Sequence, residues 1–115
     1  MKPLQNSSKP YYVYILRCCD NSLYIGITSD MERRMKAHLG KIKGGARYTK
    51  SHPVEKIEAV WRTEGKSAAL RAEIALKRLP RCKKLMLISE PYEIKNKYLT
   101  SMQEFDFEVC EQKAL

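Results

Sequence analysis

Two short segments near the start of the chain, each bearing tyrosines, flank a turn and constrain the fold more than any other feature. Residues 11–17 and 23–28 are rich in tyrosine and β-branched side chains, a composition typical of β-strands. The intervening Asp-Asn-Ser at residues 20–22 favours a turn, so the sequence predicts a β-hairpin. An even-length turn would place Tyr14 and Tyr24 on opposite faces, whereas a three-residue Asp-Asn-Ser loop with a bulge would place them on one face. The sequence leaves both registers open.

The rest of the chain combines one further strand with several helices. Ser29 and Glu32 have the S-x-x-E spacing of a capping box, which predicts the start of the first helix. The predicted elements are, in chain order, that helix to near Gly40, a basic loop over residues 40–53, a strand over 54–63, a helix from Ser67 to Leu79, a helical stretch from Pro80 to about Ile88, and a helix over Tyr92 to Met102. This order predicts one α/β domain of the α+β type at residues 10–89, with a loose leader at 1–9 and an acidic extension at 90–115.

The charge of the chain is large and uneven. The formal net charge is +9, and residues 1–89 carry 19 Lys and Arg against 7 Asp and Glu, while residues 90–115 carry 3 against 6. Because a cationic surface releases counterions from a polyanion, a basic body with an acidic tail favours a nucleic-acid partner. The alternative is that the positive charge serves only to keep a small protein soluble.

The composition argues against a membrane protein and favours the cytoplasm. No apolar run approaches the ~20 residues that span a bilayer, and no segment pairs a basic face with a bulky apolar one. The first residues are polar and lack the apolar stretch of a signal peptide. Four cysteines show neither CxxC nor metal-ligand spacing, so in a reducing compartment we expect free thiols. They are Cys18, Cys19, Cys82 and Cys110.

Two polar side chains border the apolar stripe of the first predicted helix. Met31, Met35 and Leu39 recur at helical spacing and define its buried side. Arg34 and His38 each follow a methionine of that stripe by three residues, so both lie beside it. A guanidinium next to a core needs a partner or a functional site. The alternative is that the stem of Arg34 passes the methionines and reaches water.

Glu73 is an acid on an otherwise apolar helix face. Its neighbours at helical spacing are Ala69, Leu70 and Leu76. A carboxylate in that position requires a cation, either a basic side chain or a metal. The first alternative is a buried ion pair with Arg34 or a nearby lysine. The second is a single carboxylate ligand for Mg²⁺, an ion that one or two carboxylates usually hold together with water and phosphate.

The order and spacing of these residues resemble the GIY-YIG nuclease family, above all its small stand-alone bacterial members, the UPF0213-like proteins. The shared stretches cover roughly residues 10–88 and read YVYILRC, LYIGIT, ERR, GARYT, ALRAE and LKRL. Each stretch alone is a weak signal, but together they are specific. The chain departs from the family at two points. Its first motif reads Tyr-Val-Tyr and retains only the final tyrosine, and Asn96 is too distant to match the asparagine that follows the glutamate in some members.

The resemblance implies a fold and a reaction. The fold is a three-stranded antiparallel sheet flanked by helices, with the site on one sheet face. The reaction is divalent-metal-dependent hydrolysis of DNA phosphodiesters. Glu73 would ligate Mg²⁺ or Mn²⁺, which would polarise the scissile phosphate and stabilise the leaving oxygen.

The same resemblance implies roles for four further residues. Tyr14 would activate or position the attacking water with Tyr24 beside it, and the two tyrosines are interchangeable in this assignment. A phenol with a pKa of about 10 is a poor base near neutral pH. It becomes a useful one if Arg34 and the metal lower that pKa, which is a reason to find cations beside it. Arg34 would also offset charge on the phosphate, and His38 would hydrogen-bond a tyrosine or the phosphate.

The basic loop is the predicted DNA contact. Its cations can follow the phosphate backbone, and the glycine pair at residues 44–45 allows close approach. Tyr48 could stack on an exposed base. The alternative is a mobile, solvated loop. The residues assigned to DNA binding are Lys41, Lys43, Arg47, Tyr48 and Lys50.

Taken together, the residues predict a metal-dependent DNA endonuclease. With no separate DNA-binding domain in view, we expect little sequence specificity and a preference for branched, nicked or single-stranded DNA. The alternatives are a nucleic-acid-binding module without catalysis on the same fold, and an adaptor that binds a larger DNA-repair protein. The sequence identifies no protein partner.

Overall fold

The computed structural model describes residues 9–111, so the predicted leader lies outside the described residues except for Lys9. The strands are β1 (Pro10–Cys18), β2 (Leu23–Thr28), β3 (Val54–Glu64) and β4 (Glu108–Val109). The helices are α1 (Met31–His38), α2 (Arg47–Ser51), α3 (Lys66–Lys77) and α4 (Arg81–Ser89), followed by a 3₁₀ turn (Pro91–Glu93) and a π-helical turn (Ile94–Tyr98). No helix in this part of the chain is long and apolar enough to cross a bilayer.

The strands form one antiparallel sheet in the order β2-β1-β3-β4. The predicted α+β fold is confirmed, and three of the strands are those predicted. The fourth strand corrects the expected count, because Glu108 and Val109 pair with Arg62 and Trp61 of β3. A two-residue strand is too short to show the alternation that identifies strands in a sequence. The domain boundary predicted at residue 89 stays a prediction.

The β1–β2 hairpin has the register that places both tyrosines on one face. Its loop has three residues, 19–21, one position earlier than predicted, and Asn21 adopts a φ of 72°. Asparagine tolerates this left-handed conformation better than most residues. Tyr24 lies opposite Leu16, which is two residues from Tyr14 on the same strand. Because side chains alternate along a strand, the two phenols share a face.

Each face of the sheet has its own core. The face opposite the tyrosines packs against α3, and its cluster is Val13, Ile15, Ile25, Ala59, Trp61, Ala69, Ala72, Leu76, Leu87, Ile94, Leu99 and Met102. The buried cluster on the tyrosine face is Tyr14, Leu16, Met35, Ile57 and Val60. Of the stripe predicted for α1, Met35 is buried, whereas Met31 and Leu39 are half-buried. The sheet therefore separates α3, which carries most of the core, from α1.

Two helices begin at residues other than those predicted. Asp30, not Ser29, is the N-cap of α1, and its Oδ1 accepts a hydrogen bond of 3.1 Å from the backbone N–H of Arg33. An aspartate one position closer to the helix serves this role as well as a serine does. The helix α3 starts after Gly65, whose φ of +89° suits glycine, so Ser67 lies inside the helix rather than at its cap.

The structure also revises the basic loop and the C-terminal segment. The loop contains the short helix α2. The continuous helix predicted over residues 92–102 is replaced by the 3₁₀ turn and the π-helical turn, in which the Leu99 N–H donates to the Ile94 carbonyl at 2.7 Å. Ile94, Leu99 and Met102 are all buried. All three belong to the core cluster on the α3 side of the sheet, which this segment helps to cover.

Candidate active site

Tyr14 lies at the centre of the tyrosine face and is fully buried, with 0% of its surface exposed. Gly26 is its partner across the β1–β2 ladder. A Cβ atom at Gly26 would lie 2.5 Å from the phenol oxygen of Tyr14 and 2.7 Å from Cζ. The ring therefore rests directly on the glycine backbone. Sequence reasoning did not assign Gly26 a role, although a glycine inside a strand signals a close approach of this kind.

Two side chains of α1 meet the Tyr14 hydroxyl. Arg34 Nε donates to the phenol oxygen at 3.4 Å, and His38 Nε2 lies 2.8 Å from that oxygen. Arg34 Nη1 also donates to the Gly44 carbonyl at 2.6 Å. The guanidinium is thus bonded to groups of the protein on two sides, which does not fit the alternative of a stem that only passes to water. One turn of α1 places both side chains against the same phenol.

Burial sets the protonation state of Tyr14. Removal from water raises the pKa of the phenol from 10.0 to about 12, although the hydrogen bond and the charge of Arg34 lower it. The lowering by Arg34 is present but smaller than the effect of burial, and the lowering by a bound metal stays a prediction. Tyr14 is a neutral phenol at physiological pH.

His38 is neutral for a similar reason. Burial and the charge of Arg34 lower the pKa of His38 from 6.5 to about 4. Its second ring nitrogen, Nδ1, lies 2.8 Å from Oγ1 of the buried Thr49 on α2. Sequence reasoning did not single out Thr49, because nothing in its local sequence distinguishes it from a structural threonine. A neutral imidazole carries only one N–H, so its two contacts must differ in direction.

Tyr24 is the more accessible of the two phenols. It is half-buried, and its ring centroid lies 6.4 Å from that of Tyr14 and 5.3 Å from that of His38. Its ring also stacks near Tyr48 at 5.9 Å, and Tyr48 stacks on His52 at 3.9 Å. The base-stacking role of Tyr48 stays a prediction, since in this structure its ring already has two aromatic neighbours.

The guanidinium of Arg34 faces both phenols. Burial lowers the pKa of Arg34, contacts with Tyr14 and Tyr24 raise it, and the contacts prevail. A permanent positive charge therefore lies between two hydroxyl groups on one sheet face. Such a charge can interact with an anion brought to the same place.

Glu73 lies on α3, on the helix side of the sheet. Its side chain is 17% exposed and forms an ion pair of 3.2 Å with Lys77, one turn along the helix. Its charge contributes to the raised pKa of Tyr14, so the carboxylate lies within electrostatic reach of that phenol. Of the two ion-pair partners considered from the sequence, the structure shows the nearby lysine, and this pairing accounts for part of the cost of burial.

The donor set around Glu73 fits only one kind of metal site. Within residues 9–111 no group of three or more His, Cys, Asp or Glu side chains is arranged to hold an ion. A transition-metal site built by the protein alone is therefore not available in that region. A single carboxylate does fit Mg²⁺ or Mn²⁺, whose remaining ligands can be water and substrate phosphate. Glu73 is the group that would hold such an ion.

One cation of the basic loop, Lys43, shares a cleft with Arg34. Arg33 and Asp30 also line this cleft, which therefore carries three positive charges and one negative charge. The loop residues predicted to contact DNA are exposed, apart from the half-buried Tyr48, and are Lys41, Lys43, Arg47 and Lys50. Their contact with DNA stays a prediction. The arrangement makes a positively charged approach to the face on which Tyr14, Tyr24, Arg34 and His38 meet.

Comparisons with known proteins identify a family and relatives that match most of this sequence. Residues 10–85 match the family described as GIY-YIG catalytic domain. A UPF0213 protein of Xanthomonas axonopodis pv. citri is 48% identical over 77 residues, 67% of this chain and 74% of the relative. A UPF0213 protein of Halalkalibacterium halodurans is 42% identical over 95 residues, 79% of this chain and 98% of the relative.

One solved structure also resembles the chain. It is the solution NMR structure of a UPF0213 protein from Bacillus halodurans, which is 37% identical, with a TM-score of 0.47, over 76% of this chain and 95% of that chain. The family match alone covers more than half of the present sequence. This chain is a member of the GIY-YIG catalytic domain family and groups with its UPF0213 proteins.

Proposed function

We propose that this protein is a metal-dependent endonuclease that hydrolyses DNA phosphodiester bonds. Membership of a family of nuclease catalytic domains supports a nuclease-type function. The observation that carries the proposal is the contact of Arg34 and His38 with the Tyr14 hydroxyl, on a face shared with Tyr24. Glu73 within electrostatic reach supplies the carboxylate. The basic cleft beside Arg34 suits a polyanionic substrate.

Arg34 is the residue we assign to the scissile phosphate. Its Nη1 already donates to a carbonyl oxygen, that of Gly44, at 2.6 Å, and a phosphate oxygen is a stronger acceptor for the same group. The contact with Tyr14 holds the guanidinium in place before substrate arrives. A preorganised charge of this kind stabilises the negative charge that develops on the phosphate during attack.

The solvent access of the two phenols separates their roles. Tyr24 is half-buried, whereas Tyr14 is completely covered by its neighbours. We assign Tyr24 to contact with the attacking water and Tyr14 to the positioning of Arg34. Glu73 would hold Mg²⁺ or Mn²⁺, and the ion when bound would polarise the phosphate and stabilise the leaving oxygen. Lys77 competes with such an ion for the charge of Glu73, since the two form an ion pair.

A nicking assay tests the proposal. Supercoiled plasmid and oligonucleotides that are plain, branched, nicked or single-stranded are incubated with and without Mg²⁺ or Mn²⁺. We expect metal-dependent cleavage with a preference for the branched, nicked or single-stranded DNA over the plain duplex. Glu73→Gln and Tyr24→Phe should each lose about 100-fold or more in rate, the range of a removed catalytic group. Glu104→Gln is the matched control, because it neutralises an exposed carboxylate of the same protein. Cleavage without metal, or an unchanged rate in Glu73→Gln, contradicts the proposal.

One observation favours the alternative, a nucleic-acid-binding module without catalysis. The ion pair with Lys77 already neutralises Glu73, so the acid has a structural explanation. Lys77→Met separates the two functions. In an enzyme it frees Glu73 and lowers the metal concentration needed for half-maximal cleavage. In a binding module no variant cleaves, and Lys77→Met only weakens DNA binding through the loss of one positive charge.

A further inference from the structure

A chain of hydrogen bonds runs from Arg34 through the buried face to α2. Arg34 Nε donates to the Tyr14 oxygen, the Tyr14 oxygen contacts His38 Nε2, and His38 Nδ1 contacts Thr49 Oγ1. Thr49 Oγ1 then donates to the Ala46 carbonyl at 3.1 Å. Tyr14 has 0% of its surface exposed, Thr49 3% and His38 5%. Water therefore has little access to the hydrogen bonds that Tyr14, His38 and Thr49 make.

Counting hydrogens gives every bond a direction. A threonine hydroxyl has one hydrogen, and that of Thr49 goes to the Ala46 carbonyl, which can only accept. Arg34 can only donate to the Tyr14 oxygen, so the one hydrogen of the buried Tyr14 hydroxyl has its acceptor at His38 Nε2. The contact between Thr49 Oγ1 and His38 Nδ1 is then a hydrogen bond donated by Nδ1–H. Burial and the charge of Arg34 keep His38 neutral, so its other nitrogen, Nε2, bears a lone pair. The hydroxyl of Tyr14 consequently donates to Nε2, and its oxygen is left free to accept from Arg34.

The backbone of the basic loop brings Thr49 to this position. A Cβ at Gly45 would lie 2.5 Å from the Ala37 carbonyl oxygen, so the loop packs directly on the C-terminal turn of α1. The next residue, Ala46, is the N-cap of α2 and supplies the carbonyl that takes the hydrogen of Thr49. The acceptor of the Thr49 hydrogen thus comes from the loop, and the group that donates to Thr49 Oγ1, His38 Nδ1–H, comes from the turn of α1 on which the loop packs.

We propose that Thr49 is a positioning residue that fixes His38 in its Nδ1–H tautomer and thereby orients the Tyr14 hydroxyl away from Arg34. With the opposite tautomer, Nε2–H would donate to Tyr14, and the phenol hydrogen would turn toward the guanidinium, which cannot accept it. Arg34 would then lose its contact at Nε. This inference rests on the proposed function only where it concerns cleavage; the tautomer and the bond to Arg34 are independent of it.

Nuclear magnetic resonance tests the tautomer directly. The chain has 2 histidines, so long-range ¹H–¹⁵N correlations of their rings can be assigned with a His52→Gln variant. At pH 7 we expect His38 to show a protonated Nδ1 and an unprotonated Nε2. Thr49→Val keeps the side-chain shape but removes the acceptor, and should shift His38 toward the Nε2–H form. Thr49→Ser restores the acceptor and should restore the wild-type spectrum.

A second signal and a matched control complete the test. Exchange of the Arg34 Nε hydrogen with solvent should be faster in Thr49→Val than in the wild type or Thr49→Ser. Ser51→Ala removes another hydroxyl from α2, one that contacts His52, and should leave the His38 signals unchanged. A wild-type His38 in the Nε2–H form, or the wild-type spectrum in Thr49→Val, overturns the proposal.

The cleavage assay distinguishes this inference from the proposed function. If the wild type cleaves DNA, Thr49→Val should lose about tenfold in rate, the lower end of the loss seen when the hydrogen-bond partner of a metal-ligating histidine is removed, and Thr49→Ser should recover it. An altered tautomer with an unchanged rate overturns the positioning role. If the wild type does not cleave, the proposed function fails, and the ring spectra and the Arg34 exchange rate decide this inference.

Discussion

The neutral, buried His38 predicts a specific loss of stability in mild acid. The pKa of His38 is lowered from 6.5 to about 4 by burial and by the charge of Arg34. In the unfolded chain the imidazole takes up a proton near its ordinary pKa. Between these two values the unfolded state binds more protons than the folded state, so stability falls as pH falls. The groups that face His38 are Tyr14 on β1, Tyr24 on β2, Thr49 on α2 and Arg34 on its own helix.

The size of the effect follows from the same two values. One pKa unit corresponds to about 1.4 kcal/mol, so the complete loss between pH 6.5 and about 4 is about 3 kcal/mol. By pH 5, part of the way through this window, linkage predicts a loss of about 2 kcal/mol relative to pH 7. Against a typical total stability of about 5–15 kcal/mol, this is readily measured.

Urea denaturation at pH 7 and pH 5 measures it, with fluorescence of the fully buried Trp61 as the probe. The comparison is between the wild type and His38→Gln, a variant that cannot titrate at this position. Other groups titrate alike in both proteins and cancel in the difference. We expect the pH-dependent loss to be smaller by about 2 kcal/mol in His38→Gln. Equal losses in the wild type and His38→Gln would refute the reasoning.

Further predictions concern a glycine and the thiols. Gly26→Ala places a Cβ 2.5 Å from the Tyr14 oxygen, so the ring must move. We expect a destabilisation of about 1–3 kcal/mol in urea denaturation together with loss of cleavage. Wild-type values for both would contradict the close packing. Cys19 and Cys82 are exposed and should react with a thiol reagent in the folded protein. Cys18 is buried, and burial raises the pKa of its thiol, so it should react only on unfolding. Simultaneous labelling of Cys18, Cys19 and Cys82 would show that Cys18 is accessible.

Much of the fold could be predicted because its strands are strongly patterned. Residues 11–17 and 54–63 were predicted as strands and lie within β1 and β3, since tyrosine and β-branched residues leave few alternatives there. The predictions were less accurate where neighbouring residues compete for one role. Asp30 and Ser29 are both good caps, and only the packed helix selects between them. The strand β4 forms because β3 offers an unpaired edge, which no local pattern reveals.

The candidate site likewise has features that the sequence predicted and features that it could not predict. Helical spacing predicted that Arg34 and His38 lie on one side of α1, and both do contact Tyr14. The direction of the pKa change at Tyr14 could not be predicted, because it depends on how completely distant parts of the chain cover the phenol. The close packing of Tyr14 on Gly26 could have been predicted, because a glycine inside a strand indicates such an approach. Thr49 carried no such signal, since its partner His38 lies on another helix.

The sequence by itself determined the family, the hairpin with its two tyrosines, and the helical positions of the arginine, the histidine and the acid. These are properties of neighbouring residues, and local spacing expresses them fully. Only the tertiary structure decided that the loop of the hairpin has three residues, that Tyr14 is covered while Tyr24 is not, and that His38 lies between Tyr14 and Thr49. Solvent access and hydrogen-bond direction depend on groups that are distant in the chain and meet only when it folds.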